Sequence, residues 1–369
     1  MKLTFWICLG LIAYAYFGYA VLLSLYAKFR RRPVLRQDVT PSVSILIAAR
    51  NEESRLAAKL ENLRNLSYPP DQLQVIVVSD GSTDGTNKLL LGHVPWLSAV
   101  ILPESGGKAN ALNQAVLRAT GEFLVFLDVR QSVDPNALSE LVACFGDPGV
   151  GAVSGELLLE TATGTPSPDA LGIYWAVEKA VRKLESMTGS VVGVTGAIYA
   201  IRRELFVPIP PGTVLDDVFV PMNVVRMKKR VVFQPSAVAR DRIFAEKRKE
   251  FSRKVRTLAG NYQLLRIAPW LLTAQNPLLF RYISHKLLRL LVPLLLVMLL
   301  ISSAMIAEGP YSAMFGLQIV FYTMAAAGAL LPSSKQFKPV AIASTFVMLN
   351  AAAALAFYSF VAGRKRLWT

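Results

Sequence analysis

SVSILIAARNEE, residues 42–53, is an apolar run that stops abruptly at an arginine, an asparagine and two glutamates. Too short to be a membrane span and bounded by polar residues, it reads as a strand buried on both faces of a sheet. The same unit then recurs along the chain. Helix over 54–66 is followed by QVIVVS (74–79), helix over 84–91 by SAVILP (98–103), helix over 108–119 by EFLVFLD (122–128), and helix over 135–146 by VGAVSG (150–155). Apolar strands alternating with helices predict an α/β fold with a mostly parallel, Rossmann-like sheet. Ligands of such sheets bind at the carboxyl ends of the strands. Those ends carry RNEE, DGSTDGT, ESGGKAN and DVRQ.

Four sites, two of them in these loops, bear on chemistry. Asp80 ends a strand and is followed by GSTDG, so its carboxylate can accept from a ribose or base edge, while Thr83 and Asp84 read as turn and helix-cap residues. Lys108 follows two glycines at a helix start, where backbone N–H groups and the dipole favour an anion such as a diphosphate. Asp216 and Asp217 follow the loop PIPPGTVL; adjacent acids there are either solvated or placed to take a proton from an acceptor hydroxyl. Gly196, in GVTGAIYAIRR (193–203), marks either a close approach of the chain to a substrate or a packed strand that contains glycine.

The chain of 369 residues is 53% hydrophobic with a mean hydropathy of +0.41, too apolar for a purely soluble enzyme. Residues 4–26 carry no charge and suffice for a hydrocarbon core of about 30 Å. AKFRRR follows, which predicts a retained anchor with Arg30 to Arg32 on the cytosolic side. Further apolar runs lie near 287–307, 311–331 and 340–362. The expected organisation is an anchor over 1–28, a cytosolic domain over 40–240, a basic interfacial segment over 241–285 and a membrane bundle over 286–369. Three C-terminal crossings would place GRKRLW (363–368) outside, against the positive-inside tendency, so two or three crossings are expected. The net charge is +15, and between Lys228 and Arg256 eleven basic residues face three acids. Beside membrane segments this predicts contact with anionic headgroups rather than nucleic acid. Cys8 and Cys144, one in an apolar run and one in a predicted helix, suggest no disulfide framework.

Together these motifs resemble the family 2 glycosyltransferases, in particular the membrane-bound branch of cellulose, chitin, hyaluronan and poly-N-acetylglucosamine synthases. The resemblance covers residues 42 to about 260 and implies a GT-A type fold. It implies that Asn51, Glu52 and Asp80 hold the nucleotide, that Lys108 in GKANALN meets the pyrophosphate, and that Asp217 in LDD is the general base with Asp216 beside it. It further implies that the Gly196 segment binds acceptor, that the donor is a nucleotide-diphosphate sugar such as a UDP-sugar, and that Mg2+ or Mn2+ assists. Two positions depart from the family. Its D-x-D is Asp128-Val129-Arg130 here, so only Asp128 remains for a metal. Its Q-x-x-R-W survives as Arg253-Lys254-Val255-Arg256-Thr257, keeping Arg256 and losing the tryptophan.

Three readings of Arg130 are open: a weakened metal site that relies on Asp128 and phosphate oxygens, pairing of Arg130 with Asp134 or a neighbouring helix, or a fixed cation acting on the leaving group with Lys108 and Arg256. The function expected is inverting sugar transfer to a polysaccharide or glycan. The alternatives are single-sugar transfer to a lipid, such as a polyprenyl phosphate or a ceramide-like acceptor, and a non-catalytic membrane component that binds nucleotide.

Overall fold

A computed structural model describes residues 1–92, 96–160, 170–242, 247–306 and 308–363. Eight strands form one sheet: β1 Val43–Ala49, β2 Leu73–Asp80, β3 Leu97–Leu102, β4 Phe123–Asp128, β5 Ser132–Val133, β6 Val150–Glu160, β7 Ile198–Arg202 and β8 Arg230–Arg242. Their order is β3-β2-β1-β4-β7-β6-β8-β5. The strands β3, β2, β1 and β4 are mutually parallel, as the alternation predicts. β7 then runs antiparallel to both β4 and β6, β8 is parallel to β6, and β5 is antiparallel to β8.

Successive residues on a strand face opposite sides, and β1 divides accordingly. Val43, Ile45 and Ile47 join a core with Leu56, Leu60 and Leu63 of helix Glu53–Arg64. Leu46 joins the opposite core, with Ala111, Leu112 and Ala115 of helix Lys108–Val116. Each such aliphatic side chain contributes about 1.5–3 kcal/mol on burial. With helices on both faces, the sheet leaves only its strand ends free to build a site.

Among the described residues, four helices are long and apolar enough to cross a membrane: Lys2–Phe29, Leu279–Ile306, Gly309–Leu330 and Lys338–Val361. The third C-terminal run is thus a helix of crossing length, while residues 364–368 of GRKRLW lie outside the described residues, as do the side chains of 242–250 in the basic stretch. Helix Lys247–Ile267 links the two parts. Its Val255 and Ala259 bury against Ala352 and Ala356 of the last helix. Further along, Gln263 Nε2 donates to Gly212 O at 2.8 Å and Gln263 Oε1 accepts from Val214 N at 3.0 Å, so this helix braces the loop that leads into Asp216.

Candidate active site

Three strand-end loops lock to one another at the carboxyl edge of the sheet. Asn51, in the left-handed region at φ 54°, accepts from Thr83 N through Oδ1 at 2.8 Å. Asp84 Oδ1 accepts from Thr86 N at 3.0 Å, the capping role expected of it, and its Oδ2 accepts from Glu53 N at 3.1 Å. Glu53 Oε2 returns the contact by accepting from Gly85 N at 2.9 Å. Glu52 N donates to Thr86 Oγ1 at 2.9 Å, and the Glu52 carboxylate pairs with Arg55. Asn51 and Glu52 therefore hold the loop after β2 in place.

Asp80 is 3% exposed and accepts from Ser105 Oγ, Gly106 N and Gly107 N at 2.8, 2.8 and 2.9 Å. The anion at the start of helix Lys108–Val116 is thus this carboxylate: the two glycine N–H groups expected to meet a diphosphate already donate to Asp80. Gly81 makes the packing feasible, since at φ 61° a Cβ there would lie 2.4 Å from Ser105 N. Asp80 sets the shape of the 103–107 loop, which borders a cavity of about 300 Å³ lined by Leu102, Glu104 and Asn110.

Beyond that loop the predicted charged residues converge. Lys108 Nζ lies 3.1 Å from Asp128 Oδ1 and 3.3 Å from Asp216 Oδ2. Some 40% of the Lys108 side chain is open to solvent. Burial of its ammonium lowers the pKa, but the carboxylates of Asp128, Asp216 and Asp217 outweigh this and hold it above the ordinary value. Asp216 is 4% exposed and, with Asp217, opens helix Asp216–Arg226, so the pair is not the solvated loop feature that was one expectation. Acids in a first helical turn are favoured by the dipole. Asp217 Oδ1 is buried without a hydrogen-bond partner. Burial, then the charge of Asp216, push the Asp217 carboxyl up to about 6, against the opposing charges of Lys108, Lys286 and Arg182.

Gly196 belongs to this cluster. A Cβ there would sit 3.3 Å from Asp217 Oδ2, so glycine lets the carboxylate lie flat against the chain. Gly196→Ala should displace Asp217 by a few tenths of an ångström and lower kcat about tenfold with little change in donor binding. Steady-state kinetics in parallel with donor titration will separate the two effects.

Arg130 has a different partner from the one expected. It pairs with Asp241 of β8, whose Oδ2 also accepts from Gln131 Nε2 at 3.1 Å. Asp134, the expected partner, is gripped by Arg240 through two bonds of 2.6 and 2.9 Å. The cause is the pairing of β5 with β8: Arg240 lies opposite Ser132, and the next residue along, Asp241, faces the other way. With Arg130 neutralised by Asp241, the cation at Asp128 is Lys108. Arg253 and Arg256 are exposed on helix Lys247–Ile267.

Two further features escaped the sequence reading. Tyr199 on β7 stacks on Phe126 of β4 at 4.5 Å, and its hydroxyl is buried without a partner. Burial, and then the charges of Asp216, Asp217 and Asp128, hold that hydroxyl's pKa well above its usual value. Its signal was strand alternation, which sends Tyr199 to the face opposite Ile198 and Ala200. The other is a buried cluster around His285, discussed below.

For a metal, the relevant observation is that Asp128 Oδ1 and Asp216 Oδ2 converge on one cation position, at Lys108 Nζ. Hard carboxylate oxygens suit Mg2+ or Mn2+. No group of three or more ligating side chains exists among the described residues. The pair therefore fits an ion that arrives with phosphate oxygens completing its shell.

Sheet order, the antiparallel β7 and the carboxylate cluster define a GT-A-like α/β domain with membrane helices attached. Residues 44–208 match the family model Glycosyl transferase family 2, and the chain carries a domain of that family. It is 24% identical over 214 residues to poly-β-1,6-N-acetyl-D-glucosamine synthase of Staphylococcus aureus, covering 56% of this chain and 52% of that protein. Over 122 residues it is 38% identical to β-monoglucosyldiacylglycerol synthase of a Nostoc species, 32% of this chain and 26% of that protein. The chain thus spans about half the length of the first relative and a quarter of the second. A solved mannosyltransferase of Pyrobaculum calidifontis, in complex with GDP-Man and Mn2+, superposes with a TM-score of 0.74 at 23% identity, covering 98% of this chain and 100% of that one. The fold is therefore shared along nearly the whole chain, membrane helices included.

Proposed function

We propose that this protein is a multi-pass membrane glycosyltransferase whose catalytic domain faces the cytosol and moves a sugar, with inversion, from a nucleotide-diphosphate sugar to an acceptor hydroxyl. The observation that carries the reading is Asp217: a half-buried carboxylate, pushed up to about 6, with its Oδ1 buried and unpartnered, lodged against Gly196 at the carboxyl edge of the sheet. A base tuned close to the operating pH is suited to proton removal. Asp217 takes the acceptor proton, the acceptor oxygen bonds to the anomeric carbon, and the bond to the diphosphate breaks with its electron pair leaving on phosphate. Lys108 stabilises that charge from the end of the Asp80-held loop. A divalent ion held by Asp128 and Asp216 would supply additional Lewis acidity at the diphosphate.

The relatives named above are, by name, synthases of a glycan and of a glycolipid, which supports either a glycan or a lipid acceptor here. Single addition to a lipid is favoured by Thr257, exposed where the synthase-like motif has tryptophan. Membranes containing the protein, supplied in turn with labelled nucleotide sugars, should transfer label from one of them or slowly hydrolyse it. A chain that turns over none of them, with or without Mn2+, is a nucleotide-binding component and not a transferase.

A further inference from the structure

Lys108 holds the place that a divalent ion would need. Its Nζ lies 3.1 Å from Asp128 Oδ1 and 3.3 Å from Asp216 Oδ2, the two oxygens that suit Mg2+ or Mn2+. The two acids are held differently. Asp216 is buried in the first turn of helix Asp216–Arg226, whereas the Asp128 side chain, at the end of β4, is 38% exposed. Asp216 Oδ2 is itself buried and accepts no hydrogen bond, in spite of the ammonium beside it. An ammonium satisfies an oxygen only along one of its N–H directions, while a metal ion attracts from every side. Lys108 therefore neutralises this oxygen without satisfying it.

Lys108 and an ion cannot share that place. An ion taken up by both carboxylates would enter the space of the ammonium and meet its charge at contact distance, so Lys108 has to leave first. The lysine is free to do so on its open side. Part of its side chain faces solvent, and it follows Gly107, where an added Cβ would meet nothing within 4 Å, so the space beside this turn is open to a ligand. Leaving unaccompanied is unfavourable, because the ammonium gives up two carboxylates at once. A diphosphate offers it a replacement through charge-assisted hydrogen bonds. The same diphosphate brings the oxygens that two carboxylates lack. A second acid in the D-x-D position would add a ligand from the protein, but Arg130 stands there, paired with Asp241.

We propose that Lys108 is a stand-in cation, which closes the metal position of Asp128 and Asp216 in the donor-free protein and yields it only when a nucleotide diphosphate receives the ammonium. Ion and donor then enter together, and a free ion finds the carboxylates taken. This rests on the chain using a nucleotide-diphosphate sugar, and it does not depend on which sugar is moved.

The test is Mn2+ binding by the purified full chain in detergent at neutral pH, read from the electron paramagnetic resonance signal of the free ion, with no turnover involved. Without nucleotide, Lys108→Met should bind one Mn2+ at least tenfold more tightly than wild type. Adding Asp128→Asn or Asp216→Asn to that variant should remove the gain. Wild type that binds one Mn2+ as tightly as Lys108→Met overturns the proposal. So does a gain that survives Asp216→Asn, because the lysine would then only repel an ion held elsewhere. If Lys108→Met does not fold, wild type decides alone, after correction for Mn2+ held by free nucleotide. Its Mn2+ affinity should rise at least tenfold with whichever of UDP and GDP it binds, and an affinity unchanged by that nucleotide overturns the proposal. Failure of the glycosyltransferase reading would appear separately, as a wild type that binds neither UDP nor GDP and hydrolyses no nucleotide sugar.

Discussion

Asp217→Asn should reduce sugar transfer by about a thousandfold, within the roughly 10²–10⁴ that a positioned general base contributes, while nucleoside diphosphate affinity stays within a factor of two. Asparagine keeps the volume that fits against Gly196 but cannot accept the proton. The pH dependence follows from the direction of the shift. Burial and Asp216 raise the Asp217 carboxyl to about 6, so wild-type kcat should fall as the pH drops through that value and plateau above it. The residual activity of the variant should lack this acidic limb. Rapid-mix turnover measurements from pH 5 to 8.5, with calorimetric titration of UDP and GDP, provide both readouts. Residual turnover within tenfold of wild type would remove Asp217 from the role of base, and Asp216 would be the next carboxylate to test.

The parallel half of the sheet was legible because each strand of β1 to β4 is a continuous apolar run closed by polar residues, which is local information. So was the gathering of Asp80, Lys108 and Asp128, since all three end or follow parallel strands. What the chain does after Val150 depends on pairing between distant segments. Ile198–Arg202 enters antiparallel between β4 and β6, and nothing in its alternation reports direction. Arg130 is the clearest instance. Sequence proximity favoured Asp134, yet the partner is Asp241, more than a hundred residues away, because β8 presents Arg240 to Asp134 and Asp241 to Arg130. The departure from D-x-D that looked like a change in catalytic chemistry is, in the structure, an ion pair that ties the end of β4 to the far edge of the sheet. The His285 cluster was illegible for a similar reason. Glu178 and Glu185 lie seven residues apart, which places them on one helical face, but the spacing does not name the membrane helix they meet.

That cluster yields the second large effect. Glu178→Gln should destabilise the full chain by about 3–5 kcal/mol, the usual result of removing one partner from a buried ion pair. Glu178 is 6% exposed and receives His285 and Arg289, so the neutral amide removes the charge that Arg289 meets there and leaves His285 with Glu185 alone. Burial alone would raise the pKa of Glu178, yet the charge of His285 and its hydrogen bond, together with Arg289, hold it well below the ordinary value; Glu185 is lowered by the same imidazole despite its burial. A carboxyl whose folded pKa is depressed adds stability above its unfolded pKa of about 4.3 and loses it as the pH falls toward the folded value. Wild-type protein should therefore lose thermal stability progressively below about pH 4.5, and Glu178→Gln should show a lower apparent Tm at pH 7 and a shallower acid limb. Thermal unfolding in detergent at pH 7, 5 and 4 will decide. An unchanged Tm at pH 7 would mean that the junction between helix Ala170–Thr188 and the membrane helices rests on apolar packing, with the ion pairs incidental to it.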